Sequence, residues 1–281
     1  MFVGRSVSLG EVWLGIEGAA LLRCLLDGDE AFVAARVAAI EALVGRLGGG
    51  PFAVRSPVPE LGVEEGYRAW APAYDEMSNA LIRAEEPLVH AGLDGVAAGV
   101  ALDAACGTGR LAGMLAGRGH RTLGVDRSDA MLARAREKLA GVEFRSGDLS
   151  LLPVESGSFD VATCGLALTH LADPGPAICE LAQVVRPGGR VAISDAHPTF
   201  VAVQGQALFP TGSGFAFVRN HHHAHSVYLR AFRSAGLDVL DCAEAPMEAD
   251  FTEGLTAGAP DAAVALWAGV PVVLVWTLQR R

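Results

Sequence analysis

Apolar positions recur along the chain with two different periods, and the pattern changes near residue 64. Before it, Leu14, Ala20, Leu21, Leu25 and Leu26 return at near-helical spacing, followed by Phe32, Val33, Val37, Ile40, Leu43, Val44 and Leu47. Such spacing lines one face of a helix, so residues 9–47 predict two helices. Asp27-Gly28-Asp29 supplies the turn between them and an N-cap, and Gly48-Gly49-Gly50-Pro51 stops the second. Residues 48–62 hold three prolines and several glycines and predict a linker. The expected division is therefore 1–62, a helical cap with its linker, and 63–281, the main domain.

Beyond residue 64, short apolar runs alternate with helix-compatible stretches. Val100–Asp103, His120–Val125, Val142–Ser146, Phe159–Cys164, Arg190–Ser194, Leu237–Glu244 and Pro271–Leu278 predict strands. Residues 78–92, Arg110–Gly117, Ser128–Leu139, Pro174–Val185 and Ser226–Ala235 predict helices. Strands separated by helices imply an α/β, doubly wound, seven-stranded and mostly parallel sheet of Rossmann-like type. Two insertions interrupt it, at 198–220 and 245–260. The nearly apolar run 262–278 invites a membrane reading, but Gly269 and Pro271 divide it into a short helix and a strand.

Composition narrows the class. Of 281 residues, 51% are hydrophobic and 19% charged, enough for a large core. The net charge of −10 argues against a general nucleic-acid or anionic-membrane binder, both of which need a positive face. Five dispersed cysteines without a C-x-x-C pair, and an N-terminus interrupted by Arg5, Glu11 and Glu17, imply reduced thiols and a cytoplasmic location.

Ligands of such sheets bind at the carboxyl ends of the strands. The first strand runs into Asp103-Ala104-Ala105-Cys106-Gly107-Thr108-Gly109, a small-residue turn where a ligand can approach bare backbone. Asp126 lies about 20 residues further on, where a carboxylate can take both hydroxyls of a ribose. Asp148 ends the third strand, where its carboxylate or backbone could read an adenine edge. Each aspartate alone could equally be a helix N-cap; in register with the glycine turn, together they favour a ligand.

Residues 100–110, Asp126, Gly147–Asp160 (Gly-Asp-Leu-Ser-Leu-Leu-Pro-Val-Glu-Ser-Gly-Ser-Phe-Asp), His170-Leu171-Ala172-Asp173-Pro174 and Val185-Arg186-Pro187-Gly188-Gly189-Arg190 resemble, in order, the motifs of the class I S-adenosylmethionine-dependent methyltransferases. Tyr67–Asp75 resembles the segment these enzymes place before the domain. Ala105 departs from the family pattern, standing where a first glycine is common. The glycines Gly107, Gly109 and Gly113 are spaced one residue longer than in a nicotinamide-dinucleotide fingerprint. The resemblance implies S-adenosyl-L-methionine as cofactor. Asp103 and Gly107 would sit by its methionine moiety, Asp126 by the ribose, and Arg127, Asp148 and Leu149 around the adenine; Ala105, Gly109, Met131 and Gly147 would also be cofactor-binding residues. The backbone from Cys164 through Gly165 to Leu168 would flank the sulfonium, and Tyr67 and Tyr74 would close over it.

For the acceptor, histidine is the natural base near neutral pH. His170 and His197 end the fourth and fifth strands, and His222 lies in the run His221-His222-His223-Ala224-His225. These three are the catalytic candidates. A metal site is not expected, because adjacent histidines on an extended chain point apart and no carboxylate lies within several residues of the run. Phe200, Phe209, Phe215 and Phe217 in the long insertion, together with the N-terminal helices, would wall an apolar pocket or form a satellite core. The expected function is methyl transfer to a small, partly apolar acceptor, by a chain that pairs as a homodimer and binds neither nucleic acid nor membrane. The alternative is a cofactor-binding protein of this fold with non-methylating or regulatory chemistry.

Overall fold

A computed structural model describes residues 6–26, 28–212, 214–247 and 258–281; most of the expected 245–260 insertion lies outside them. The chain opens with β1 (Ser6–Ser8), α1 (Leu9–Cys24) and α2 (Glu30–Val44). Ser8 caps α1 through a reciprocal pair of hydrogen bonds with Glu11, at 3.2 and 2.9 Å. β2 (Arg55–Pro57) returns antiparallel to β1, so part of the expected linker is a strand. β3 (Glu60–Leu61), α3 (Val63–Trp70) and α4 (Ala80–Gly92) lead into the main sheet.

That sheet is built from β4 (Val100–Ala104), β5 (Arg121–Asp126), β6 (Glu143–Ser146), β7 (Phe159–Gly165), β8 (Val185–Ala196), β11 (Leu237–Pro246) and β12 (Pro271–Arg280). Between them lie α5 (Arg110–Gly117), α6 (Asp129–Lys138), α7 (Gly175–Val184), α8 (Pro198–Ala202), β9 (Ala207–Thr211), β10 (Gly214–Val218), α9 (His225–Ala235) and α10 (Pro260–Trp267). The strand order is β11-β12-β8-β7-β4-β5-β6, with only β12 antiparallel to its neighbours. This is the doubly wound, seven-stranded sheet that the apolar runs predict.

Its central strands are buried on both faces. Leu102, Ala162, Cys164, Ile193 and Leu274 are fully inaccessible and pack against α7 and α9. Ala101, Val161, Ala192 and Val273 pack with α4 and α5 on the other side. β8 begins earlier than expected. The segment Arg186-Pro187-Gly188-Gly189 continues the strand through a register shift between Val185, which faces Phe159, and Arg190, which faces Val161. The apolar run 262–278 resolves into α10 and β12, with Gly269 at φ +67° between them. Among the described residues no helix is long and apolar enough to cross a membrane.

The 198–220 insertion is a folded unit. β9 and β10 form a hairpin, and β3 adds to it in parallel. Trp70 stacks on Phe209 at 5.0 Å and meets Tyr74 edge-on at 4.9 Å, with Ala216 and Val218 in the same cluster. Phe209 is therefore satellite core, while Phe200 packs on Trp267 and Phe215 is exposed. α1 packs on α10.

Candidate active site

A cleft opens where β4, β5, β6 and β7 end. Its floor is the turn after β4. Ala105 takes φ +56° and Gly107 φ +53°, left-handed conformations that turn the chain sharply. A Cβ on Gly107 would meet open space, so this residue presents bare backbone to the cleft. Gly109 has a different job. It stands before α5 at φ +85°, and a Cβ there would lie 2.9 Å from Leu139 and 3.2 Å from Ala135. Gly109 lets α5 pack against α6.

Asp126, at the end of β5, is clamped by two backbone donors. The N–H of Gly107 reaches its Oδ2 at 2.8 Å, and the N–H of Ser128 reaches its Oδ1 at 2.8 Å. Ser128, not Asp126, caps α6, accepting from the Met131 N–H at 3.4 Å. The carboxylate is thus fixed in orientation with lone pairs to spare. Burial pushes its pKa up, against those two hydrogen bonds. Asp103 has one oxygen on the Thr163 hydroxyl at 2.8 Å, while Oδ2 is buried without a partner. Burial raises its pKa to about 7. Asp148 accepts from the Ser150 N–H at 2.8 Å and pairs with Arg127 at 3.4 Å across the cleft wall.

The roof is α3 and the chain after it. Thr108 donates to Asp75 at 2.6 Å, and Lys138 donates to both Asp75 (2.8 Å) and Thr108 (2.9 Å). These bonds tie the roof to the floor and hold Tyr67 and Tyr74 over the cleft. Burial raises the phenol pKa of Tyr74 to about 12 and that of Tyr67 well above its ordinary value, so both stay neutral. The Tyr67 hydroxyl meets His170 Nε2 at 2.7 Å, and His170 Nδ1 meets the Arg219 carbonyl at 2.9 Å. A carbonyl only accepts, so Nδ1 carries the ring proton and Nε2 accepts from Tyr67. Burial lowers the His170 pKa and keeps the imidazole neutral.

Eleven of the thirteen cofactor candidates line this cleft: Tyr67, Tyr74, Asp103, Ala105, Gly107, Asp126, Arg127, Gly147, Asp148, Leu149 and Gly165. Gly109 and Met131 lie behind it, and Met131 is 1% exposed within the core. Of the histidines, His170 lines the cleft, while His197 and His222 do not. His197 is buried among Thr199, Glu244 and His225, and His222 is exposed. Sequence reasoning missed Val63, Glu64, Thr108 and Arg110 as cleft residues. Arg110 does carry a sequence signal, as the first residue of α5. The partners that aim it, Glu85 and Glu86, lie on α4 and are not marked by any motif. None of the described residues of α1 or α2 lines the cleft.

A family model described as a methyltransferase domain matches residues 102–193. The chain is 33% identical over 168 residues to a ubiquinone biosynthesis O-methyltransferase of Acinetobacter baylyi, covering 54% of this chain and 68% of the relative. It is 35% identical over 159 residues to a demethylmenaquinone methyltransferase of Lactococcus lactis, covering 50% of this chain and 62% of the relative. Across four demethylmenaquinone methyltransferases it spans 40% to 62% of their length. Among solved structures, an S-adenosylmethionine-dependent methyltransferase from Mesorhizobium loti superposes with a TM-score of 0.55 at 25% identity, over 70% of this chain and 97% of that one. Motifs, fold, cleft and relatives agree, and the chain belongs to the S-adenosylmethionine-dependent methyltransferase family.

Proposed function

We propose that residues 63–281 transfer a methyl group from S-adenosylmethionine to a small, partly apolar acceptor, with residues 1–62 as an attached helical segment. The observation that carries this reading is the pairing, in one cleft, of a left-handed backbone turn with three carboxylates at fixed depths. The chemistry of these groups fits the cofactor. The partnerless Oδ2 of Asp103 calls for a donor, which an α-ammonium supplies. Asp126 has free lone pairs for two hydroxyls, and Asp148 with Leu149 flanks the position of an aromatic base.

When bound, the cofactor supplies a methyl group activated by positively charged sulfur. The chain has to orient it and keep water out. Asp103, Gly107 and Asp126 do the first, and Tyr67 and Tyr74 do the second. Val63, Leu166, Ala167 and Leu171 give the cleft an apolar lining suited to the acceptor, with His170 as a polar group among the lining residues. The names of the ubiquinone and demethylmenaquinone relatives support a small organic acceptor. Because Tyr67 already donates to the neutral His170, a hydroxyl acceptor reaching the Tyr67 oxygen would hand its proton to Tyr67 as Tyr67 hands its own to His170 Nε2.

The test is to incubate the purified chain with S-adenosylmethionine and a panel of phenols, quinols and amines. Formation of S-adenosylhomocysteine with a matching methylated product is the expected result. Tight cofactor binding with no product from any acceptor class would favour the non-methylating alternative.

A further inference from the structure

Among the described residues, one cluster of metal-ligating side chains stands outside the cleft. His197 follows β8, His225 opens α9 and Glu244 lies near the end of β11. These are distant in sequence, but β12 brings them together. Its residue Leu274 faces Asp195 of β8 on one side and Glu244 of β11 on the other. The carboxyl ends of β8 and β11 are therefore level, with one strand between them. His197 Nε2 lies 3.0 Å and His225 Nε2 2.8 Å from the same oxygen, Glu244 Oε1. One ligand atom from each residue lies within 4.8 Å of the others.

The rings are held in place. With a metal on Nε2, the His197 ring carries its proton on Nδ1 and donates it to the Thr199 hydroxyl oxygen at 2.5 Å, and that hydroxyl in turn donates to the Pro271 carbonyl at 2.8 Å. His225 stands edge-on to Trp276 at 5.9 Å. A fixed partner on the non-ligating nitrogen is what orients a metal-bound imidazole. Access is available too. His197 is almost fully buried, but the Glu244 and His225 side chains are 42% and 39% exposed, so an ion can enter and water can complete its shell. Two imidazoles and a carboxylate suit a divalent first-row metal, above all Zn²⁺, whose bonds to nitrogen and oxygen are about 2.0–2.2 Å. The two imidazole nitrogens lie 3.0 and 2.8 Å from the carboxylate oxygen and all three donors lie within 4.8 Å, close enough to converge on one ion with a small side-chain adjustment.

We propose that His197, His225 and Glu244 form a binding site for a divalent transition-metal ion, one strand beyond the cofactor cleft and open to solvent at its remaining coordination position. The site fastens the start of α9 to the sheet edge. The preceding segment also carries the Arg219 carbonyl that holds His170, and His223, whose Nε2–H donates to the Leu171 carbonyl at 2.8 Å. Bound metal thus braces the acceptor wall. The proposal does not depend on the reaction the cleft performs.

The experiment uses the untagged full chain, stripped with chelator and titrated with Zn²⁺ against a chromophoric competitor. One equivalent is expected to bind per chain, and His197→Gln, His225→Gln and Glu244→Gln should each weaken it by at least about tenfold. His222→Gln, in the same run but exposed, should leave it unchanged. Histidine ¹⁵N NMR of the unsubstituted chain reads the same question without any variant: Zn²⁺ should shift the Nε2 signals of His197 and His225. Unchanged Zn²⁺ affinity in all three variants, equal loss in His222→Gln, or shifts confined to His221 and His222 would overturn the proposal.

Discussion

The turn after β4 and the roof across from it both bound the cleft, but they are held by different means. On the floor, each functional group is fixed by its own neighbours in sequence or by an adjacent parallel strand. Asp126 is clamped by Gly107 and Ser128, and Asp148 by Ser150. In the roof, Tyr67 is fixed by His170, a residue 103 positions away, and Asp75 by Lys138, 63 positions away. The floor comes with the sheet: its partners are neighbouring strands and the turns at their ends, even where, as for Asp103 and Thr163, they lie 60 positions apart. The roof depends on the 198–220 hairpin, whose β10 pairs with β3 and whose Phe209 stacks under Trp70. Substitutions in the floor should therefore act on folding or cofactor affinity, and substitutions in the roof on turnover.

The sharpest way to break this comparison lies within the floor itself. Gly109→Ala puts a methyl group 2.9 Å from Leu139 at φ +85°. Overpacking together with left-handed strain should cost about 2–4 kcal/mol of stability, read as a lowered Cm in denaturant at unchanged m. Gly107→Ala meets no protein atom, so its cost to folding should stay near 1 kcal/mol, while cofactor affinity falls. Equal loss of stability in both variants would contradict the separation of packing from binding.

Next in size is Asp126→Ala, which removes a carboxylate that the backbone already orients. Cofactor affinity measured by calorimetry should fall by about 1.5–3 kcal/mol, as for hydrogen bonds to a charged group. Unchanged affinity would take Asp126 out of the ribose role.

Asp103 gives the floor a pH dependence. Burial disfavours its charge and pushes the carboxyl pKa up to about 7, far above the ordinary aspartate range. The folded state thus holds this proton where the unfolded state has lost it. The group's contribution to stability is greatest below the ordinary value and is lost as pH rises through 7. An ammonium group against Oδ2 needs the ionised form. Cofactor affinity should therefore weaken below pH 7 by up to about tenfold per unit, and Asp103→Asn should flatten the profile. A flat profile in the unsubstituted chain would separate Asp103 from the cofactor's amine.

The same contrast explains what could be read from the chain alone. The sheet is legible because its buried strands are contiguous apolar runs, and the cleft floor because its lining residues sit at strand ends with fixed spacing. Gly109 was misplaced because glycine in a turn has the same signature whether it faces a ligand or a helix. Glu244 and His197 share no pattern in sequence; only the order β8-β12-β11 makes them neighbours. The phenylalanines of the 198–220 insertion can be read as a pocket wall or as a satellite core, because a buried phenylalanine has no mark that tells one from the other; Phe209 is core.

The smallest effect tests the roof directly. Tyr67→Phe keeps the ring that packs on Trp70 and removes only the hydroxyl that donates to His170. A single lost hydrogen bond should cost about 0.5–1.5 kcal/mol in folding stability, and cofactor affinity should change little, because Asp103 and Asp126 are untouched. Turnover should fall more, since His170 loses the partner that fixes its Nε2. Combining Tyr67→Phe with His170→Gln distinguishes this from loose packing: if the pair works as one unit, the double variant should be no slower than the His170 variant alone. Fully additive losses would show that the two side chains act separately, and the roof would then be a cover for the cleft without a hand in the chemistry.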